Sequence, residues 1–270
     1  MRIIRFKTTD GSVRFGCDYN YKEKTAVPVA GSITGGFKPQ GERLGVAELL
    51  SPVIPSAILC IGLNYRMHAK ETGMSLPDYP ILFMKNPGAV TGPFSPIIIP
   101  RSCMDPLQVD YEVELAVVLG KTAKNVARES ALEYVFGYTA ANDVSARTWQ
   151  KTGGGKQWVR GKSFDTFCPL GPEMITADEI SDPQTLDVEC RLNGEIMQAG
   201  STSDMIFSVA ELIAFLSEST TLLPGTIILT GTPSGVGFTR NPPVFLKPGD
   251  RIESQVQNIG TLVNPVKAEG

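Results

Sequence analysis

The ten residues Asp110-Tyr111-Glu112-Val113-Glu114-Leu115-Ala116-Val117-Val118-Leu119 constrain this chain more than any others. Their apolar character becomes nearly continuous toward the end, which predicts a strand over Tyr111–Leu119 covered on both faces. Side chains on a strand alternate with period two. Glu112 and Glu114 therefore share one face, and Val113, Leu115 and Val117 share the other. Two carboxylates on one face of a buried strand repel each other and resist desolvation, and a cation would offset both costs. Alternatively, the strand begins at the surface and the glutamates are solvated. Spacing alone leaves both readings open.

A second stretch ends in the same way. Phe136–Asn142 is an apolar strand closed by Asp143, and Val144–Gln150 carries a helical pattern for which Asp143 would serve as N-cap. An N-cap aspartate can still present one oxygen outward, so capping and cation binding are compatible roles.

The remaining punctuation indicates many short strands. Ile3–Phe6, Val13–Cys17 and Val27–Ala30 precede a loop-like run containing Gly31, Gly35, Gly36 and Pro39. Ser51, Pro52 and Pro55 mark a boundary, so residues 1–52 are expected to form a small N-terminal β region and residues 53–270 a larger unit. In that unit, strands are expected at Ala57–Ile61, Ile81–Met84, Pro96–Ile99, Leu186–Leu192, Glu195–Ala199, Thr226–Thr230, Arg251–Val256 and Gly260–Val266. Asn193-Gly194 predicts a type I′ hairpin turn. Helical patterns are confined to Ser130–Tyr134, Val144–Gln150 and Val209–Ser217, the last with Leu212, Ile213 and Leu216 on one face. Strands do not alternate regularly with helices, which argues against a doubly wound sheet or a (β/α)8 barrel and for a β-rich α+β fold.

Several function classes are excluded. A net charge of −3, without a basic run, gives no case for nucleic acid or an anionic membrane. No G-x-S-x-G and no G-x-G-x-x-G is present. Gly161-Lys162-Ser163 resembles the end of a P-loop, but that motif's first glycine would fall on Lys156. The five cysteines lack paired spacing and read as buried thiols in a reducing compartment. His68 is the only histidine, so any metal would take oxygen ligands and be a hard cation such as Mg2+, Mn2+ or Ca2+. The N-terminus gains charge within a few residues, and no apolar stretch nears the roughly 20 residues of a membrane span. A soluble cytoplasmic protein is the expectation.

Several ordered motifs carry a family resemblance. Gly62-Leu63-Asn64-Tyr65-Arg66-Met67-His68-Ala69-Lys70-Glu71 resembles a G-x-N-Y-x-x-H-x-x-E segment, and Leu82-Phe83-Met84-Lys85 a lysine-bearing strand. Asp110 to Leu115 resembles a D/H-x-E-x-E-L strand, and Asn142 to Arg147 an N-D-x-S-A-R turn. Gly161-Lys162-Ser163-Phe164-Asp165, Cys168-Pro169-Leu170-Gly171-Pro172, Asn193-Gly194 and Thr230 to Gly237 follow in order. From about Leu59 to Val266 the chain resembles the fumarylacetoacetate hydrolase family, in particular its short members that act on acylpyruvates, oxaloacetate or related 2-oxo acids.

The resemblance implies a mixed β-sandwich or roll and a homodimer. It assigns Glu112, Glu114 and Asp143 to an octahedral Mg2+ or Mn2+, with Ca2+ able to take their place in crystals. The metal would act as a Lewis acid toward the enolate of a bound 2-oxo acid. His68, Glu71 and Lys162 take catalytic roles, Glu71 orienting His68 on a mobile lid that includes Gly73, Ser75 and Pro77. Arg66, Lys85, Arg147, Gln150 and Thr232 are assigned to substrate. Hydrolysis of a C–C bond in a 2,4-dioxo acid is the leading expectation. Oxaloacetate-type decarboxylation, isomerisation of an unsaturated 2-oxo diacid, and non-catalytic binding of a 2-oxo acid are the alternatives. The sequence departs from the family at Thr148, where many relatives carry Asp, and in the glycine-rich loop Lys151–Lys156.

Overall fold

A computed structural model describes residues 1–153 and 155–270. Gly154, at the centre of the glycine-rich loop noted above, lies outside the described residues. The expected β-rich α+β fold is found. The main sheet runs in the order Val13–Asn20, Thr25–Ser32, Leu44–Leu50, Arg2–Thr8, Cys168–Thr176, Val135–Asn142, Val113–Leu119, Ile227–Leu229, Ile58–Gly62 and Ile81–Lys85. Its pairings along that order are antiparallel except where Ile227–Leu229 runs parallel to Ile58–Gly62. A second sheet, in the order Glu195–Ser201, Asp187–Leu192, Arg251–Val256, Gly260–Ala268 and Ile97–Ile99, packs across its middle. No helix among the described residues is long and apolar enough to cross a membrane.

The strand Val113–Leu119 lies deep in the main sheet, and all seven of its residues are buried. Leu115 and Val117 enter one core with Tyr138, Val188, Cys190, Ile252 and Leu262, beneath the second sheet. Ala116 and Val118 enter another with Ile3, Ile58, Cys60, Phe83 and Met174. The strand is therefore covered on both faces, and the solvated-edge reading of Glu112 and Glu114 does not hold. The hairpin turn at Asn193-Gly194 has positive φ at both residues (54° and 91°). Helix Val209–Ser217 is closed by a reciprocal Ser208–Glu211 capping box and buries Leu212, Ile213 and Leu216.

Two expectations need correction, and two strands were not anticipated. Gly36–Pro39 is a strand where a loop was expected, and Leu44–Leu50 is a further strand beside it in sequence. Cys168–Thr176 is also a strand, although Pro169, Gly171 and Pro172 punctuate it. It tolerates them because its partners change along its length. Val90–Thr91 pairs with its start, the strand carrying Ala140 and Ala141 pairs with Leu170 and Gly171, and Arg2–Ile3 pairs with its end. Finally, no helix begins after Asp143. Ser145–Ala146 pairs with Val109–Asp110 as a short strand, and helical backbone starts only at Arg147.

One side chain ties the entry of helix Arg66–Thr72 to the sheet. Asn64 Nδ2 donates to the Phe207 and Thr230 carbonyls (3.0 and 2.8 Å), and its Oδ1 accepts from the Phe207 N–H (2.9 Å). Replacing Asn64 with Ala strands buried backbone groups. Asn64→Ala is expected to lower unfolding stability by about 2–4 kcal/mol in urea titrations; a loss under about 0.5 kcal/mol would contradict this account of the anchor.

Candidate active site

The two acidic strands meet where the ladder ends. Glu112 and Asp143 are held side by side because Asp143 N–H donates to the Glu112 carbonyl (2.8 Å) and Asn142 Oδ1 accepts from Glu112 N–H (3.0 Å). Glu114, two residues further on the same face, completes the group. One carboxylate oxygen from each of Glu112, Glu114 and Asp143 lies within 4.8 Å of the other two, and all three residues are buried. At that separation two like charges repel by about 3 kcal/mol even at an effective dielectric of about 20. The fold therefore has to supply positive charge.

It does so unevenly. Lys162 Nζ donates to Glu112 Oε2 (2.7 Å) and Asp143 Oδ2 (2.5 Å), and Lys85 Nζ to Asp143 Oδ1 (2.5 Å). Arg147 Nη2 contacts Glu112 Oε1 (2.7 Å) and Asp110 Oδ2 (2.8 Å). Among the described residues Glu114 receives only the Gly231 N–H (2.7 Å). Burial raises the Glu112 carboxyl, but Lys162 and Arg147 outweigh it and hold the group below the ordinary carboxylate range. Burial, then the charges of Asp143 and Glu112, push Glu114 well above that range. Burial disfavours the Lys162 ammonium, and Asp143 and Glu112 more than restore it. Four buried acids, Asp110 included, thus face three buried cations, and the uncompensated one is Glu114. Three oxygen donors converging around an uncompensated carboxylate suit a hard divalent cation.

A pocket of about 150 Å3 opens over this cluster. Glu112, Glu114, Arg147, Gln150, Lys162, His68 and Thr232 all line it, with Leu63, Met74, Phe83, Trp158 and Phe238 as its apolar wall. A cavity of that size takes a small organic molecule of about benzene's bulk. His68 and Glu71 lie one helical turn apart, and His68 Nδ1 is 3.0 Å from Glu71 Oε2. Burial raises the Glu71 carboxyl, but hydrogen bonds from His68, Thr239 and the Gly235 N–H outweigh it and keep the group ionised. An ionised Glu71 accepts from His68 Nδ1–H, so a neutral imidazole here carries its lone pair on Nε2, the other ring nitrogen of this pocket-lining side chain.

The other expected residues divide. Gln150 Oε1 accepts from Arg147 Nη1 (3.0 Å). Thr232 Oγ1 donates to the Val113 carbonyl (2.9 Å) and accepts from Gln198 Nε2 (2.7 Å), so its hydroxyl is already committed. Lys85 is buried on Asp143 and the Val144 carbonyl and is not part of the pocket wall. Arg66 is exposed, and its guanidinium binds the Asp204 and Met205 carbonyls instead of facing the pocket. Asp143 is no N-cap; its carboxylate is held by the two lysines. His68 and Glu71 stand on the helix Arg66–Thr72, closed by Gly73 in the left-handed conformation (φ 67°), and Met74 in the loop just after it reaches the pocket.

Sequence reasoning gave Asp110 no role. Its two oxygens accept from the Gly237 and Phe238 N–H groups (2.8 and 3.0 Å) and from Arg147 Nε (2.9 Å), joining the acidic strand to the pocket's far wall. Its alternation with Glu112 and Glu114 along one strand was the available signal. The triad generates a direct prediction. Mg2+ or Mn2+ should raise the melting temperature of the wild type, and Glu114→Gln should abolish that rise without lowering the metal-free melting temperature by more than about 2 °C. An equal metal response in both proteins would place the cation elsewhere.

Residues 57–267 match the fumarylacetoacetate (FAA) hydrolase C-terminal family, and residues 1–52 match the Rv2993c-like N-terminal family. The mitochondrial oxaloacetate tautomerase Fahd2a of Rattus norvegicus is 45% identical over 243 residues, which are 90% of this chain and 76% of the relative. The crystal structure of 2-hydroxyhepta-2,4-diene-1,7-dioate isomerase from Mycobacterium marinum is similar with a TM-score of 0.84 and 37% identity, covering 100% of this chain and 99% of that one. Fumarylacetoacetate hydrolase from the psychrophilic Exiguobacterium antarcticum gives a TM-score of 0.87 and 38% identity, with 100% of both chains covered. The cytoplasmic expectation is corrected here, because the curated relatives from rat, cattle and human are mitochondrial proteins. A charged N-terminus without a membrane-spanning stretch does not distinguish one aqueous compartment from another. The family match spans most of the chain, and the ordered motifs, the fold and the acidic cluster agree with it: the chain belongs to the fumarylacetoacetate hydrolase family of enzymes.

Proposed function

We propose that this chain is a Mg2+- or Mn2+-dependent enzyme that interconverts the keto and enol forms of a short 2-oxo acid of the oxaloacetate type. The observation that carries this reading is the opening of the His68–Glu71 pair onto the same small pocket as Glu112, Glu114 and Lys162. The relative at 45% identity bears the name oxaloacetate tautomerase, which supports it.

Glu112, Glu114 and Asp143 would hold the divalent cation, which would supply Lewis-acid stabilisation of negative charge on the 2-oxo oxygen. His68 Nε2 takes the proton from C3 of the keto form and delivers it to the 2-oxo oxygen, so that the C3–H bond breaks and the O–H bond forms. Glu71 keeps the imidazole in the required tautomer and stabilises it when protonated. Lys162, already shared between Glu112 and Asp143, adds positive potential beside the substrate's carboxylate. Leu63, Phe83 and Trp158 keep bulk water from the reacting atoms.

Hydrolysis of an acylpyruvate is the second reading, favoured by the similarity to the Exiguobacterium hydrolase and by the capacity of a His–Glu pair to activate water. Following enol absorbance in freshly dissolved oxaloacetate, beside acetylpyruvate cleavage, separates the two. Metal-loaded enzyme should speed oxaloacetate tautomerisation, and chelation should abolish the activity until Mg2+ or Mn2+ is returned. His68→Gln should lower kcat by roughly 100- to 10,000-fold with a much smaller change in KM. Full activity after chelation, or faster cleavage of acetylpyruvate than tautomerisation of oxaloacetate, would overturn the tautomerase reading.

A further inference from the structure

Three cations reach the pocket wall, and they are not equivalent. Arg147 is matched to Asp110 and Glu112, and Lys162 to Glu112 and Asp143. Lys151 makes no ion pair or hydrogen bond among the described residues. Instead its Nζ stands 4.1 Å from the centre of the Phe238 ring, at the pocket's exposed rim. Arg147 lies over the same ring, with Cζ 4.5 Å from its centre. Phe238 is itself fixed, since its N–H donates to Asp110 Oδ2 (3.0 Å).

The backbone explains how Lys151 arrives there. Trp149–Gly153 forms a π-helical turn, a local widening that is frequent at functional sites. It brings consecutive residues, Gln150 and Lys151, to the pocket together. Arg147 Nη1 donates to Gln150 Oε1 (3.0 Å), which fixes that amide, and Gln150 Nε2 makes no hydrogen bond among the described residues. An ammonium and an amide N–H2 thus stand side by side with their donors available. Burial and the neighbouring Arg147 charge both disfavour the Lys151 ammonium, a cost that an arriving anion reverses.

We propose that Lys151 and Gln150 form a second carboxylate site, which receives the far carboxylate of a 2-oxo dicarboxylic acid and makes the enzyme select diacids over monoacids. This rests on the pocket being a 2-oxo-acid site, with the 2-oxo head directed to Glu112, Glu114 and Lys162. The two ends of the substrate would then be read by different charges: the head by the acidic cluster with its cation, the tail by Lys151 stacked on Phe238.

The test uses a matched pair of ligands that cannot turn over, N-oxalylglycine and N-ethyloxamate, which share an oxalyl head and differ by the distal carboxylate. Their binding to Mg2+-loaded protein is measured by titration calorimetry. Wild type should prefer N-oxalylglycine. Lys151→Met, which keeps the chain length and the apolar contact with Phe238, should reduce that preference roughly 5- to 30-fold, the effect of one partly screened charge-assisted contact. Lys151→Arg should retain it. An unchanged ratio in Lys151→Met, or no preference in wild type, overturns the proposal. If the preference depends on Lys151 but oxaloacetate is not tautomerised, the carboxylate site stands and the tautomerase reading fails. Binding of neither ligand overturns both.

Discussion

The mutual repulsion of Glu112, Glu114 and Asp143, confined where water cannot screen it, organises much of this molecule. A single buried carboxylate can be left protonated or paired locally. Three within 4.8 Å of one another cannot all be ionised unless positive charge reaches them from several directions. Lys85 comes from the edge strand of the main sheet, Arg147 from the turn after Asp143, and Lys162 from the short helix Val159–Lys162. Each brings its own segment of chain, and those segments are the pocket's walls or their supports. The arrangement stops one charge short at Glu114. That residual imbalance, inside an otherwise paired cluster, is a feature that a bound cation would offset.

The support of the cluster is as specific as its contents. Asp110 spends both oxygens on Arg147 and on the Gly237 and Phe238 N–H groups, so the first acid of the strand acts as a brace. Gln198 spans the Val113 N–H and Thr232 Oγ1, joining the two sheets directly beside the triad. Across the pocket, Glu71 does more than face His68: it also accepts from Gly235 N–H and Thr239 Oγ1, which docks the short helix against the Gly/Pro loop. The histidine is thereby held against the same loop that carries Thr232. General acid–base chemistry needs this kind of fixed approach between base and substrate.

Much of this was legible in the residues. The nearly continuous apolar run toward Leu119 pointed to a strand covered on both faces, and the observed cores on its two sides agree with its period-two phase. The Asn193-Gly194 turn and the helix after Ser208 were also readable, because their signals are local. The strand Cys168–Thr176 was not anticipated, because Pro169, Gly171 and Pro172 interrupt any strand pattern, and pairing with several partners along the sheet accommodates them. The turn after Asp143 was misread for a related reason. Helix capping is a local competitor for an aspartate, and two lysines distant in sequence outbid it. Lys151 was invisible for yet another reason: a lone lysine before three glycines says nothing about which ring it will stand over.

We propose that the triad, and no other group among the described residues, takes the divalent cation. Anomalous diffraction from crystals grown with Mn2+ tests this most directly. The account predicts a single strong peak at oxygen-ligand distance, about 2.1–2.3 Å, from Glu112, Glu114 and Asp143. A peak seated elsewhere with the triad empty, or no peak at saturating Mn2+, would contradict it.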